Sequence, residues 1–156
     1  VIRIQIFFVN ISSYFTNNDN RHSTYNKKFH DTSMKILVID DNEQITKMLH
    51  RYFVMQGIDV TTFNDGKNAL PSILKDKFDV ILLDMAMPGF NGVDIINELE
   101  KINILEQQKI IILSASSAPD GAIRSLLSKK GVHTFLEKPV NLKDLLDIVS
   151  QSRGMR

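Results

Sequence analysis

The sequence predicts an α/β domain over residues 34–152: a doubly wound, five-stranded parallel sheet with five helices on its two faces. Two observations predict it. Five short apolar runs rich in Ile, Leu and Val alternate strictly with stretches whose apolar residues recur at helical spacing. Such runs belong to strands buried on both faces and joined by right-handed helical crossovers. Four of the runs also end in residues able to do chemistry: Asp40 and Asp41 after the first, Asp84 after the third, Ser114 after the fourth and Lys138 after the fifth. Open α/β sheets bind ligands outside the carboxyl ends of their strands, so these side chains are expected to converge.

Each element has its own signal. Lys35 to Ile39 is the first strand, and Ile45, Met48, Leu49, Tyr52 and Phe53 form one apolar face of a helix that Gly57 stops. Ile58 to Phe63 is a β-branched second strand. Asp65 caps a helix through Lys75 with Ala69, Leu70, Ile73 and Leu74 inward, and Pro71 within it predicts a short or kinked element. After the strand Val80 to Leu83, Asn91 caps a helix with Asp94 near its positive end and Ile95, Ile96, Leu99 and Ile102 on its apolar side. The strand Ile110 to Leu113 precedes a helix opened by Pro119 and ended at Lys129 and Lys130 before Gly131. Phe135 to Glu137 is the last strand. Asn141 then caps a helix that turns Leu142, Leu145, Leu146 and Val149 to the core.

Composition narrows the class. The chain has 156 residues, 43% hydrophobic and 24% charged, enough for one compact core. With no cysteine there is no disulfide framework to argue for secretion, and no run reaches membrane-spanning length, so a cytoplasmic location is expected. Residues 1–33 carry four basic residues against two acids, which leaves 34–156 at net −1 and without an electrostatic footprint for nucleic acid. Residues 10–33 are too polar to offset the entropy of ordering them, and 1–9 read as a short strand or an interrupted signal-like stretch. Because Met34 directly precedes the first strand, 1–33 are expected to be a disordered extension outside the native protein. Residues 153–156 are expected to be a tail, with no output domain after it.

Three carboxylates beside one lysine suit a hard divalent cation and a phosphoryl group. Taken singly, each residue has a plainer reading. Asp40 or Asp41 could cap the first helix, Ser114 could be an ordinary strand-end serine, and Phe135 could be plain packing. The four histidines show no ligand spacing, and the six methionines are scattered gap-fillers.

Four signals occur in order, each after a strand: Ile39-Asp40-Asp41-Asn42, the block Asp84-Met85-Ala86-Met87-Pro88-Gly89-Phe90-Asn91-Gly92, Ser114-Ala115, and Glu137-Lys138-Pro139. Together they make the segment resemble the receiver domain of response regulators, the family of bacterial and archaeal two-component signalling. The resemblance implies a flavodoxin-like strand order 2-1-3-4-5, with Asp84 as phosphoacceptor and Mg²⁺ as cofactor. It further implies that Asp41 ligates the metal directly, Asp40 through water, and the Ala86 carbonyl completes the protein's share. Ser114 and Lys138 become phosphoryl contacts, Phe135 an aromatic that changes rotamer on activation, and Lys138-Pro139 a cis peptide. The implied partners are a histidine kinase or phosphotransfer protein and a downstream target on about 119–151, for a monomer or a phosphorylation-dependent dimer. Such a protein is no enzyme beyond its own phosphoryl transfer and dephosphorylation. Ala86 and Ser116 are small where many relatives carry larger polar groups, which leaves the phosphoryl lifetime open.

Three other functions fit less well. A magnesium-dependent phosphatase with an aspartate nucleophile needs its acid two residues further along the same strand end, a spacing that Asp40-Asp41-Asn42 lacks. A flavin or nucleotide binder would present a glycine-rich amide loop, whereas carboxylates here repel phosphate. A phosphate-blind scaffold has no need of the intact acid and lysine set.

Overall fold

The computed structural model describes residues 34–115 and 121–152. The expectations for 1–33, Ser116, Pro119 and the 153–156 tail lie outside them. In chain order the elements are β1 (Lys35–Ile39), α1 (Glu43–Met55), β2 (Asp59–Phe63), α2 (Gly66–Lys75), β3 (Val80–Asp84), α3 (Gly92–Lys101), a 3-10 turn (Leu105–Gln107), β4 (Ile110–Ser114), α4 (Gly121–Leu127), β5 (Val132–Glu137) and α5 (Leu142–Ser152). The strands are all parallel and lie in the order β2-β1-β3-β4-β5.

Strand pleat divides the core in two. Leu37, Ile39, Ile81, Leu83, Ile110 and Ile112 point to one face and pack under α2, α3 and α4 through Ala69, Ile73, Ile95, Ile96, Leu99 and Leu126. The alternate residues Ile36, Val38, Val80, Leu82, Ile111 and Leu113 meet Leu49, Tyr52 and Phe53 of α1 and Leu142, Leu145 and Val149 of α5. β3 and β4 are buried along their whole length, which is why they read as continuous apolar runs.

Local chemistry sets the boundaries. Asn42, Asp65, Asn91 and Asn141 each accept amide hydrogen bonds from the first turn of α1, α2, α3 and α5, and Asn91 with Asp94 forms a reciprocal capping box. Beyond α1, Gly57 takes the left-handed conformation, φ +78°, that lets the chain leave the helix. Pro71 falls in the second turn of α2, an element of only ten residues, in line with the short helix expected there.

Two inward assignments are corrected. Leu74, in the last turn of α2, is 53% exposed, and Ile102, which caps the C-terminal end of α3, is 44% exposed. The 3-10 turn carries buried Leu105 and was not legible in the periodicity. α4 also ends earlier than predicted, at Leu127. Lys129 and Lys130 lie beyond it, paired with Glu100 of α3 and Glu106 of the 3-10 turn.

Candidate functional site: an acid cluster shared by one lysine

The crevice follows from the strand order. From β1 the chain turns to β2 on one side and then to β3 on the other, so the loops after β1 and β3 part and leave an opening between them. Asp40 and Asp41 occupy the first loop, and Asp84 is the last residue of β3. Their carboxylates offer ligand oxygens that all lie within 4.8 Å of one another, with Asp40 and Asp84 buried and Asp41 exposed. Donors of oxygen alone, charged and close, fit a hard divalent cation such as Mg²⁺ rather than a soft metal.

Lys138 enters from the far side of β4. It follows β5 directly, and its amide donates to the Ser114 carbonyl at 2.6 Å, fastening the end of β5 to the end of β4. The Lys138-Pro139 peptide is cis, as the resemblance implies. The ammonium lies 2.6 Å from Asp40 Oδ2 and 2.9 Å from Asp84 Oδ1, only 14% exposed. One cation is thus shared by two buried anions.

Asp40 is held at every polar atom. Its amide donates to the Phe63 carbonyl at 3.1 Å, its carbonyl accepts from Asn64 Nδ2 at 2.8 Å, and its Oδ1 accepts from the Asn42 amide at 2.9 Å. Burial pushes the Asp40 carboxyl above its ordinary range. Lys138 opposes that rise by charge and hydrogen bond, while the nearby Asp84 anion adds to it.

Packing fixes the loop after β3. Met87 is buried in the core under α2–α4, while Ala86, two residues beyond Asp84, is exposed. At Gly92, the first residue of α3, a Cβ would fall 2.7 Å from the Asp84 carbonyl oxygen and 2.7 Å from Met85 Sδ. Only glycine lets α3 start this close to the acid.

Ser114, 7% exposed, ends β4. It pairs in register with Glu137, and Ile112 pairs with Phe135, so Ser114 and Phe135 sit diagonally on one face of the sheet. Phe135 is half-buried against the core on that face. Asp40, Asp41, Asp84 and Lys138 therefore meet as predicted, with Ser114 at the adjoining strand end. Missed were Asn64 and its partner Thr46, although Asn64 stands directly after a strand, the same position that drew attention to the acids.

Comparison with known proteins decides the family. Residues 36–150 match the response regulator receiver domain. The chain belongs to this family. Receivers are the phosphorylation-controlled switches of two-component response regulators, and they meet histidine kinases and downstream targets. This receiver is 34% identical over 112 residues to the transcriptional regulatory protein CpxR of Klebsiella pneumoniae, across 72% of this chain and 46% of that protein. The chain spans less than half the length of the curated relatives it matches. Among solved structures, the receiver domain of the Francisella response regulator 1452 is 34% identical with a TM-score of 0.69, covering 78% of this chain and 98% of that one. TrrA of Thermotoga maritima, solved in complex with Mg²⁺ and BeF, is 29% identical with a TM-score of 0.64, covering 76% and 98%. Among the described residues of this receiver, no helix is long and apolar enough to cross a membrane.

Proposed function

We propose that this receiver accepts a phosphoryl group on Asp84 from a histidine kinase or phosphotransfer protein, with Mg²⁺ held by Asp41, Asp84 and Asp40, the last through water, and by the Ala86 carbonyl. The observation that supports it is the single ammonium of Lys138 shared between Asp40 and Asp84 inside an all-oxygen cluster. An Asp84 oxygen bonds to phosphorus as the bond from phosphorus to the donor's imidazole nitrogen breaks, leaving an acyl phosphate. Bound Mg²⁺ supplies the positive charge that offsets the three carboxylates and the phosphoryl oxygens. Lys138 turns its ammonium from the Asp84 carboxylate to the new phosphoryl oxygens, and the Ser114 hydroxyl donates to another.

The same diagonal of Ser114 and Phe135 carries the signal outward. As Ser114 moves toward the phosphoryl group, Phe135 turns further into the sheet face and alters the surface of α4, β5 and α5, where the downstream target docks. A target that favours the phosphorylated form must in turn be favoured by phosphorylation, by the same free energy.

Incubation with acetyl phosphate and Mg²⁺ tests the acceptor. One phosphoryl mass is expected on the wild type and none on Asp84→Ala, and equal labelling of both refutes the assignment. Adding beryllium fluoride with Mg²⁺ tests the output surface, since amide shifts are then expected along β5 as well as beside Asp84.

A further inference from the structure

The cation site has a weak point in its own geometry. Asp41 is exposed, and the structure gives its carboxylate no hydrogen bond or ion pair among the described residues. Its aim therefore depends on the backbone that carries it. That backbone begins with the Asp40–Asp41 peptide, whose carbonyl oxygen accepts from Asn64 Nδ2 at 2.8 Å. The second proton of the same amide nitrogen goes to Thr46 Oγ1 at 2.9 Å, and the Thr46 hydroxyl donates onward to the Glu43 carbonyl at 3.2 Å. Thr46 is only 2% exposed, on the inner side of α1.

These bonds form a strut from the end of β2, across the Asp40–Asp41 peptide, into the first turn of α1. The donor count is complete: an amide nitrogen has two protons, and each has one acceptor. Without the strut, the Asp40 carbonyl can turn to water and the peptide can rotate, moving Asp41 away from Asp40 and Asp84. Lys138 would still hold the Asp40 side chain, since that contact lies at the other end of the residue. Loss of the strut should thus act on the cation more than on the nucleophile.

We infer that Asn64, backed by Thr46, is a positioning residue for the Mg²⁺ site, aiming Asp41 through the Asp40–Asp41 peptide. This rests on the reading of the cluster as a Mg²⁺ site. Loss of a group that orients a metal's ligands typically costs about 10- to 100-fold in metal affinity.

Calorimetric titration of the full chain with MgCl₂ and labelling by acetyl phosphate across Mg²⁺ concentrations test it together. For Asn64→Ala, the Mg²⁺ affinity should fall about tenfold, the low end of what such support contributes. The Mg²⁺ concentration for half-maximal labelling should rise by the same factor, while the rate at saturating Mg²⁺ stays near wild type. Thr46→Val, which keeps the bond from Asn64 to Asp40, should give a smaller loss in the same direction. The double variant should lose less than the two single losses combined, because both act through one strut. Unchanged Mg²⁺ affinity in Asn64→Ala overturns the inference, and so does a parallel fall in affinity and saturated rate with a lower Mg²⁺-free Tm, the mark of a general structural role. A wild type that binds no Mg²⁺ overturns the proposed function itself.

Discussion

Replacing Lys138 with Met removes one positive charge and leaves two buried carboxylates facing each other. The ammonium lies 2.6 Å from Asp40 and 2.9 Å from Asp84, whose side chains are 1% and 5% exposed. Deleting one partner of a buried ion pair costs about 3–5 kcal/mol, because the other is left charged and dry. The lower end applies, since Lys138 keeps some contact with solvent and the Asn42 amide still bonds Asp40. A loss of about 3 kcal/mol corresponds to roughly 10 °C in Tm for a domain of this size. Urea unfolding in EDTA, at about pH 7.5 and again near pH 5, reads both the size and the sign of the effect. Burial already raises the folded Asp40 carboxyl above its ordinary 3.8, and Lys138 is among the influences lowering it, so the variant's value lies higher still. Between the unfolded and folded values the folded variant then binds more protons than the unfolded chain, and its stability rises as pH falls through that window. The deficit against wild type should therefore shrink at the lower pH, and Mg²⁺ should narrow it at the higher one. A deficit under about 1 kcal/mol at the higher pH, the range of exposed pairs, or one that widens on acidification, refutes the account of a shared buried charge.

Other substitutions separate site from scaffold. Asp41→Asn should weaken Mg²⁺ binding severalfold more than Asp40→Asn in a calorimetric titration, and the reverse order would overturn the assignment of Asp41 as the direct ligand. Gly92→Ala places a Cβ 2.7 Å from the Asp84 carbonyl oxygen, so it should cost about 1–3 kcal/mol in urea unfolding and slow labelling of Asp84. Unimpaired stability there would mean that α3 can withdraw freely. Leu74→Glu should change stability by under about 0.5 kcal/mol, as its side chain already faces water, whereas Ile73→Ala should cost about 2–5 kcal/mol.

Much of the fold was written locally. Strand identity followed from apolar runs, and the caps at Asp65, Asn91 and Asn141 were legible as aspartate or asparagine before an apolar-periodic stretch, whereas the first helix, for which Asp40 or Asp41 was the candidate cap, is capped by Asn42. The convergence of Asp40, Asp41, Asp84 and Lys138 was legible too, because parallel strands bring all their carboxyl ends to one side of the sheet whatever their order. The order itself was not local. It came through resemblance, and the sheet pairing bears it out.

What needed three dimensions was the width of each buried face and the partner of each polar atom. Periodicity places Leu74 and Ile102 on the apolar side of their helices, yet both are exposed, because periodicity gives the direction of a side chain and not whether another element covers it. The sequence likewise offers Lys138 to any nearby acid. Only the packing of β5 against β4 carries its ammonium to Asp40 and Asp84 together. Asn64 is the clearest case: in sequence it is one polar residue before a cap, and its two acceptors lie 24 and 18 residues away. Hydrogen bonds of that separation are set by the fold as a whole, since only the docking of β2 beside β1 and of α1 over both brings the three groups within reach.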